Sequence, residues 1–215
     1  MEQHLEETAE TRRQVAYFMR RLYRQGLTTT SGGNISVRCG GDLVAITASQ
    51  LDKAELTEAG VGIVRLDGEP LTPGLKLSIE TGMHLAIYRE CPEIQAIVHA
   101  HPMTASAFCA SGKVIDTRLT AESYALLGAK IPMVPYALMG TERLAALTAR
   151  HIRQAPCVLL RNHGVVATAP TLLAAFDRLE LVENAARLTL ALAQLGAPRR
   201  LTPAQQSELD RFAGR

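Results

Sequence analysis

Apolar positions recur along the chain with two different periods, and each period predicts a type of element. In residues 2–25 they fall three or four positions apart, without Pro or Gly, which predicts an amphipathic helix that ends at Gly26. Helical spacing, capping residues and Pro positions predict further helices over 77–89, 102–110, 120–127, 141–153, 171–195 and 203–212.

Shorter apolar runs between turn residues predict strands. Residues 34–37 and 43–47 flank the turn Gly40-Gly41-Asp42, which indicates a hairpin. Further strands are predicted at 61–66, 96–99, 132–136, 157–160 and 165–168, and a short helix within 48–60. Because short strands alternate with helices and tight turns, we expect an α/β fold with a mainly antiparallel sheet.

Length and composition indicate a globular protein. The 215 residues suit one domain, 1–215, and 47% are hydrophobic while 20% are charged. The net charge is only +2, so nucleic acid is not an expected partner. No apolar run approaches the roughly 18 residues of a membrane span, so no membrane association is expected.

The first residues and the cysteines predict the cellular compartment of the protein. Residues 1–7 are polar and acidic, unlike a signal peptide. The cysteines are widely spaced and form no CxxC pair, at Cys39, Cys91, Cys109 and Cys157. Reduced thiols in a cytoplasmic protein are therefore expected.

Two histidines end the apolar strand at 96–99. His99 and His101 are two residues apart, so in an extended chain both imidazoles point to the same side. A third histidine, His163, lies between two predicted strands. Three imidazoles that leave one position open are typical of catalytic zinc, whereas ordinary surface or core histidines are the alternative.

Glu80 lies near the start of the helix predicted over 77–89, for which Ser78 is the expected N-cap. A glutamate there can be functional, or it can simply complement the positive end of the helix dipole. His84 follows one turn later. It is either a fourth metal ligand or a side chain that packs beneath Glu80 and orients it.

Small residues form a loop before the first strand. Ser31-Gly32-Gly33-Asn34 would let backbone N–H groups approach a phosphate, although an ordinary Gly-rich turn has the same composition. The lysine of a Walker loop is missing. Ser49 and Ser78 add small hydroxyls that are uninformative individually.

Four stretches in order carry a resemblance to a known family: Thr30–Arg38, Lys76–Glu80, His99–Pro102 and Asn162–Gly164. They resemble the class II aldolase/adducin family, and within it the L-fuculose-phosphate aldolases. The resemblance covers nearly the whole chain, from residue 10 to residue 195.

The resemblance implies roles for particular residues. His99, His101 and His163 would hold Zn²⁺, although Mn²⁺ or Co²⁺ suits the same donors. Glu80 would ligate the metal in the empty site and act as acid and base when substrate is bound. The residues implied to bind the phosphate and the nascent enolate are Gly33, Asn34, Ser49 and Ser78. The implied fold is a three-layer α/β/α sandwich, assembled as a homotetramer with sites between subunits.

The implied activity is metal-dependent cleavage of a ketose 1-phosphate to dihydroxyacetone phosphate and an aldehyde. Fuculose, 5-deoxyribulose and 5-methylthioribulose 1-phosphates are the expected substrate types. A 4-epimerase, a methylthioribulose-1-phosphate dehydratase or a decarboxylase is the alternative within the family. A non-catalytic adducin-like scaffold is disfavoured because all three histidines and Glu80 are present.

The chain departs from the fuculose enzyme in three respects. Ile79 replaces a second Ser before Glu80, and Gln50 replaces a Gly beside the second phosphate loop. Ala121 stands where that enzyme uses a Tyr, and the last residues up to Arg215 contain no Tyr. The neighbouring Glu122 is therefore a candidate proton donor to the departing aldehyde, with solvent or a merely structural surface Glu122 as alternatives.

Overall fold

The computed structural model describes residues 2–196 and 198–214. Its seven strands are β1 (Asn34–Arg38), β2 (Leu43–Thr47), β3 (Val61–Arg65), β4 (Ala96–Ala100), β5 (Met133–Val134), β6 (Cys157–Leu160) and β7 (Gly164–Ala169). The helices are α1 (Glu2–Arg24), α2 (Thr81–Glu90), α3 (Met103–Ser111), α4 (Ala121–Leu127), α5 (Glu142–Ile152), α6 (Leu172–Leu195) and α7 (Pro203–Phe212). Short 3₁₀ helices cover Glu58–Gly60 and Thr117–Leu119.

The strands form one sheet in the order β3-β2-β1-β4-β7-β6-β5. Every neighbouring pair is antiparallel except β5 and β6, which are parallel. The prediction of a mainly antiparallel sheet is confirmed. Strand β4 lies at the centre, with β1 on one side and β7 on the other.

Each face of the sheet has its own hydrophobic core. On one face α1 and α6 contribute Met19 and Phe176, and on the other α2 and α5 contribute Leu85 and Ile152. Successive side chains of a strand point to opposite faces, so Ile97 belongs to one core and Val98 to the other. The result is the expected three-layer α/β/α arrangement.

Two predicted elements end elsewhere than expected. The helix predicted over 77–89 begins at Thr81, and Glu80, not Ser78, is its N-cap residue. The Ser78 carbonyl instead accepts a bond from the hydroxyl of Thr81, which forms a turn before the helix. Of residues 132–136 only Met133–Val134 pairs as a strand, because Pro132 and Pro135 flank it and proline has no N–H for the ladder.

Other expectations hold. Gly26 has a left-handed φ of 68°, and its N–H donates to the Tyr23 carbonyl just beyond α1, as a C-terminal glycine should. The four cysteines are free and buried. Among the described helices, none is long and apolar enough to cross a membrane.

Candidate metal centre

The two histidines of β4 point to one place, as their spacing predicts. Nε2 of His101 lies 3.2 Å from Nε2 of His99, and their ring centroids are 4.9 Å apart. His99 is fully buried, and its Nδ1–H donates to the carbonyl of Val165 at 2.9 Å. This bond leaves Nε2 of His99 facing the site.

The turn between β6 and β7 brings His163 to the same place. Asn162 has a left-handed φ of 55°, which reverses the chain sharply. The ring of His163 lies 4.9 Å from that of His99 and 5.2 Å from that of His101. One ring nitrogen of each histidine lies within 4.8 Å of the other two, so the three side chains could hold a metal ion.

Gly164 permits this approach. A Cβ at Gly164 would lie 2.5 Å from the Ala100 carbonyl oxygen and 2.6 Å from Cδ2 of His101. Real Cβ atoms essentially never come so close to such atoms, so any other residue would separate the turn from β4. The Asn162-His163-Gly164 pattern therefore has a steric reason.

Glu80 completes the cluster from the start of α2. Its Oε2 lies 3.0 Å from Nε2 of His99, and its Oε1 lies 3.4 Å from Nε2 of His163. Only 5% of the residue is exposed, and Oε1 has no hydrogen-bond partner. A buried, unpartnered carboxylate oxygen beside three imidazoles is an N₃O donor set that fits a divalent ion of the zinc type.

The protonation states suit a cation. Burial and the neighbouring charge of His99 lower the pKa of His101 to about 3 and that of His163 to about 4. Burial would also lower the pKa of His99, but the Glu80 carboxylate outweighs it and raises that pKa. Burial opposes ionisation of Glu80, yet His99, His163 and Asn34 hold its pKa well below the usual range.

One predicted substrate-binding residue, Asn34, links the Glu80 carboxylate to another, Ser78. Nδ2 of Asn34 donates to Oε2 of Glu80 at 2.9 Å and to Oγ of Ser78 at 3.0 Å. Asn34 pairs with His99 across β1 and β4, which explains why it faces the cluster. Asn34 and Ser78 thus lie beside the candidate metal ligands.

His84 lies one turn below Glu80 and is fully buried. Its Nε2 is 2.6 Å from Oδ1 of Asn34 rather than among the three clustered histidines. Of the two alternatives that the sequence left open, the structure therefore places His84 beneath the site.

The small-residue loop packs against the histidine pair. Gly33 has φ 68°, and a Cβ there would lie 2.8 Å from the His99 carbonyl oxygen, while a Cβ at Gly32 would lie 2.9 Å from Nδ1 of His101. Ser31 is exposed at the mouth of this loop. Small side chains therefore leave the loop backbone close to the cluster.

The second predicted phosphate loop contains Ser49. This residue is half-buried, and its backbone N–H donates to the Lys76 carbonyl. Gln50, next to it, has a left-handed φ of 59°. Glycine adopts that conformation without strain, so this loop keeps the shape that a glycine would favour although the residue differs.

Glu122 is not brought to the cluster within this chain. It is exposed in the first turn of α4, a helix that packs against α6 and α7. Across residues 2–196 and 198–214, no hydrogen bond or ion pair joins Glu122 to the histidines.

Sequence reasoning missed Lys53, which is only 1% exposed. Its Nζ donates to the Ala48 carbonyl at 2.8 Å, and its N–H donates to the Thr30 carbonyl at 2.9 Å. Burial lowers the pKa of Lys53 to about 8. Lys53 ties the loop before β1 to the segment that carries Ser49, and its position in an irregular segment offered no periodicity to reveal it.

Three histidines and a glutamate thus meet beside the end of the central strand of an α/β sandwich, and comparison with known proteins identifies the family to which this arrangement belongs. Residues 13–190 match the family described as Class II Aldolase and Adducin N-terminal domain. The chain belongs to the class II aldolase and adducin family.

The relatives differ in their named reactions. The chain is 34% identical over 201 residues to 5-deoxy-D-ribulose 1-phosphate aldolase of Bacillus thuringiensis serovar kurstaki, covering 92% of each chain. It is 34% identical to 3-oxo-tetronate 4-phosphate decarboxylase of Pectobacterium atrosepticum, covering 80% of this chain and 79% of that one. It is also 34% identical to methylthioribulose-1-phosphate dehydratase of Granulibacter bethesdensis, covering 76% and 83%.

A solved structure shows the same fold. L-fuculose 1-phosphate aldolase superposes with a TM-score of 0.88 at 28% identity, covering 96% of this chain and 97% of that one. The predicted family and fold are therefore confirmed, while the relatives' names leave the reaction within the family open.

Proposed function

We propose that this protein is a lyase that cleaves a ketose 1-phosphate into dihydroxyacetone phosphate and an aldehyde, using a divalent ion for which zinc is favoured. The observation that carries the proposal is the unpartnered Oε1 of buried Glu80 beside His99, His101 and His163. The three imidazoles would hold the ion, and Mn²⁺ or Co²⁺ would fit the same donors. When bound, the ion polarises the substrate's carbonyl and neighbouring hydroxyl oxygens and stabilises the enediolate charge.

Glu80 would take and return the proton. In the free site its pKa is held down by two histidines, against the effect of burial. Once substrate separates the carboxylate from these histidines, burial alone would raise its pKa toward the range in which a carboxylate exchanges protons near neutral pH. Glu80 would therefore serve as a ligand in the empty site and as acid and base in the occupied one.

The substrate phosphate would bind between the two loops. Ser31, Gly33 and Asn34 offer backbone N–H groups and an amide, and Ser49 and Ser78 offer hydroxyls. Small residues let the phosphate approach the backbone closely, so no side-chain cation need lie in the loop itself. The contacts of Asn34 with Ser78 and Glu80 support this placement.

The departing aldehyde would receive its proton from Glu122, from a subunit other than the one that holds the ion. Within its own chain Glu122 lies on α4, away from the cluster, so in this proposal a neighbouring subunit brings its Glu122 to the site. The proposal accordingly includes a homotetramer with sites between subunits. Support comes from four exposed apolar side chains, the first of which directly precedes Glu80 in the sequence: Ile79, Tyr136, Leu138 and Met139.

One domain, residues 1–215, would carry this site, and the single sheet supports that reading. A cytoplasmic location is also proposed, supported by the free buried cysteines. Decarboxylation or dehydration of a related sugar phosphate is the second candidate, supported by the names of two relatives, and 4-epimerisation is a further one.

The test is a substrate panel with product analysis. Metal-replete protein is incubated with fuculose, 5-deoxyribulose and 5-methylthioribulose 1-phosphates, and dihydroxyacetone phosphate is measured by a coupled assay. We expect release from at least one substrate and a kcat lower by at least about 100-fold in Glu80→Gln. If no substrate is cleaved into two carbon fragments, or if Glu80→Gln equals the wild type, the aldolase proposal is wrong; loss of CO₂ or water without fragmentation would identify the second candidate.

A further inference from the structure

A line of buried hydrogen bonds runs behind Glu80 from Tyr88 to Asn34. The Tyr88 hydroxyl lies 2.9 Å from Oγ of Ser36, which lies 2.6 Å from Nδ1 of His84. Nε2 of His84 lies 2.6 Å from Oδ1 of Asn34. All four residues are buried, so these bonds are shielded from water.

Two simple periodicities bring these residues together. Asn34 and Ser36 are two positions apart in β1 and share a face of the sheet. His84 and Tyr88 are four positions apart in α2 and share a face of the helix, in line with Glu80 at the N-cap. One strand face and one helix face thus meet along the whole line.

The donor and acceptor of each hydrogen bond in this line follow from the Glu80 carboxylate, which lies next to Asn34. The Glu80 carboxylate can only accept, so Asn34 must present its NH₂ group to Oε2 of Glu80 and its Oδ1 to His84. His84 must then donate from Nε2. The ring of His84 is fully buried between the neutral side chains of Ser36 and Asn34, so an uncompensated imidazolium charge is disfavoured and Nδ1 of the neutral ring accepts. Ser36 therefore donates to His84 and accepts from Tyr88.

We propose that Ser36 and His84 are positioning residues that hold the Asn34 amide with Nδ2 toward Glu80 and Ser78. Without the Ser36 hydroxyl, Nδ1 of His84 loses its donor, and the tautomer with hydrogen on Nδ1 becomes available. That tautomer would turn a lone pair toward Oδ1 of Asn34 and favour a flipped amide. The flipped amide would place its oxygen against the Glu80 carboxylate, displacing the side chain that both the ion and the proton transfer require.

The catalytic consequence rests on the proposed function, but the tautomer does not. Imidazole ¹⁵N spectra of the metal-free wild type are expected to show His84 with hydrogen on Nε2 alone. In Ser36→Ala, signals of the Nδ1–H tautomer should appear. In Tyr88→Phe the Nε2–H tautomer should persist, because Ser36 still donates to His84. A wild-type His84 with hydrogen on Nδ1, or a Tyr88→Phe variant that loses the Nε2–H tautomer, would overturn the proposal.

Zn²⁺ affinity gives a second readout that needs no substrate. Competition with a chelator should show affinity about tenfold weaker in Ser36→Ala, the scale of one lost hydrogen bond to a charged group. Thr148→Val also removes a buried hydroxyl, one that donates to the Leu144 carbonyl in α5, and should leave affinity unchanged. Folded Ser36→Ala with affinity within twofold of the wild type would contradict the proposal.

Activity separates the two proposals. If the wild type cleaves a ketose 1-phosphate, kcat of Ser36→Ala should fall by about tenfold, and an unchanged kcat counts against the positioning role. If the wild type cleaves none, the proposed function fails, while the tautomer and the Zn²⁺ affinity still decide the role of Ser36 and His84.

Discussion

Nε2 of His101 and Nε2 of His99 face each other at 3.2 Å, and Oε2 of Glu80 lies 3.0 Å from the same atom of His99. Two bare imidazole lone pairs would repel at this distance. The raised pKa of His99 and the lowered pKa of His101 resolve the conflict: His99 carries the proton and its two neighbours accept it. In the metal-free protein a proton thus occupies the place where the proposed ion would bind.

Metal binding should therefore release that proton. We expect up to about one proton per Zn²⁺ near neutral pH, because the pKa of His99 is raised whereas those of His101 and His163 are lowered. Calorimetric titration in buffers of different ionisation enthalpy measures the number. A release of zero at pH 7 would show that His99 is already neutral in the metal-free protein.

The metal-free protein should lose stability as pH falls from 6.5 toward 4. The folded-state pKa values of His84, His101 and His163 are about 3, 3 and 4, below the unfolded value near 6.5. Below pH 6.5 the unfolded chain binds protons that the folded chain does not bind. Each such proton lowers the free energy of unfolding by roughly 1 kcal/mol per pH unit. The pKa of His99 is raised, so its contribution is lost above pH 6.5, outside this window.

The slope of the free energy of unfolding against pH is measured by urea unfolding in the presence of chelator, from pH 7 to pH 5. His101→Asn removes one of the three groups and should make the slope shallower. A free energy of unfolding that stays constant over this range contradicts the burial of neutral imidazoles.

Zn²⁺ should stabilise the fold through the cluster. An ion at 100 times its Kd adds about 2.7 kcal/mol to the free energy of unfolding when it binds only the folded state. We expect this gain in the wild type and its loss in His101→Ala, measured by thermal unfolding with and without Zn²⁺. His151→Ala, which changes a histidine of α5 outside the cluster, is the control and should keep the gain.

Gly33→Ala should destabilise the protein more than Gly74→Ala. Both glycines are left-handed, with φ 68° and 74°, so both variants carry similar backbone strain. At Gly33 the new Cβ would also meet the His99 carbonyl oxygen at 2.8 Å, whereas at Gly74 nothing lies within 4 Å. We expect an additional loss of about 1–3 kcal/mol at Gly33, measured by urea unfolding. Equal losses would show that the loop can move away from β4.

Glu122→Gln should lower kcat by about 100-fold if its carboxyl protonates the departing aldehyde. Glu142→Gln is the matched control, because Glu142 is also an exposed glutamate in the first turn of a helix. Equal kcat values in the two variants would assign the proton donor elsewhere.

The parts of the site that the sequence predicts are those governed by short-range geometry. The i, i+2 spacing of His99 and His101 is sufficient to place both rings on one side of a strand. The helix near Glu80 was predicted from its apolar spacing, but its first residue was wrong, because the turn around Ser78 depends on hydrogen bonds that periodicity does not report. His163 was a candidate third ligand because of its place between two predicted strands, whereas the role of Glu80 as ligand, acid and base came from the resemblance to a known family.

The pairing of strands that are distant in the sequence was not predicted. The order of strands puts β1 beside β4, and hence Asn34 beside His99, although 65 positions separate them in the chain. The line from Tyr88 to Asn34 depends on that pairing and on the rotation of α2 over β1. Lys53 was missed for the same reason, since its partners Ala48 and Thr30 meet only in the folded loops.

The central position of β4 has a consequence for the free protein. Backbone hydrogen bonds flank β4 on both sides, so the outer strands β3 and β5 can fray without releasing it. His99 and His101 therefore stand on or beside the segment that opens last. We therefore expect the histidine pair to be ordered before any ligand arrives, so that ordering it adds little entropy cost to binding.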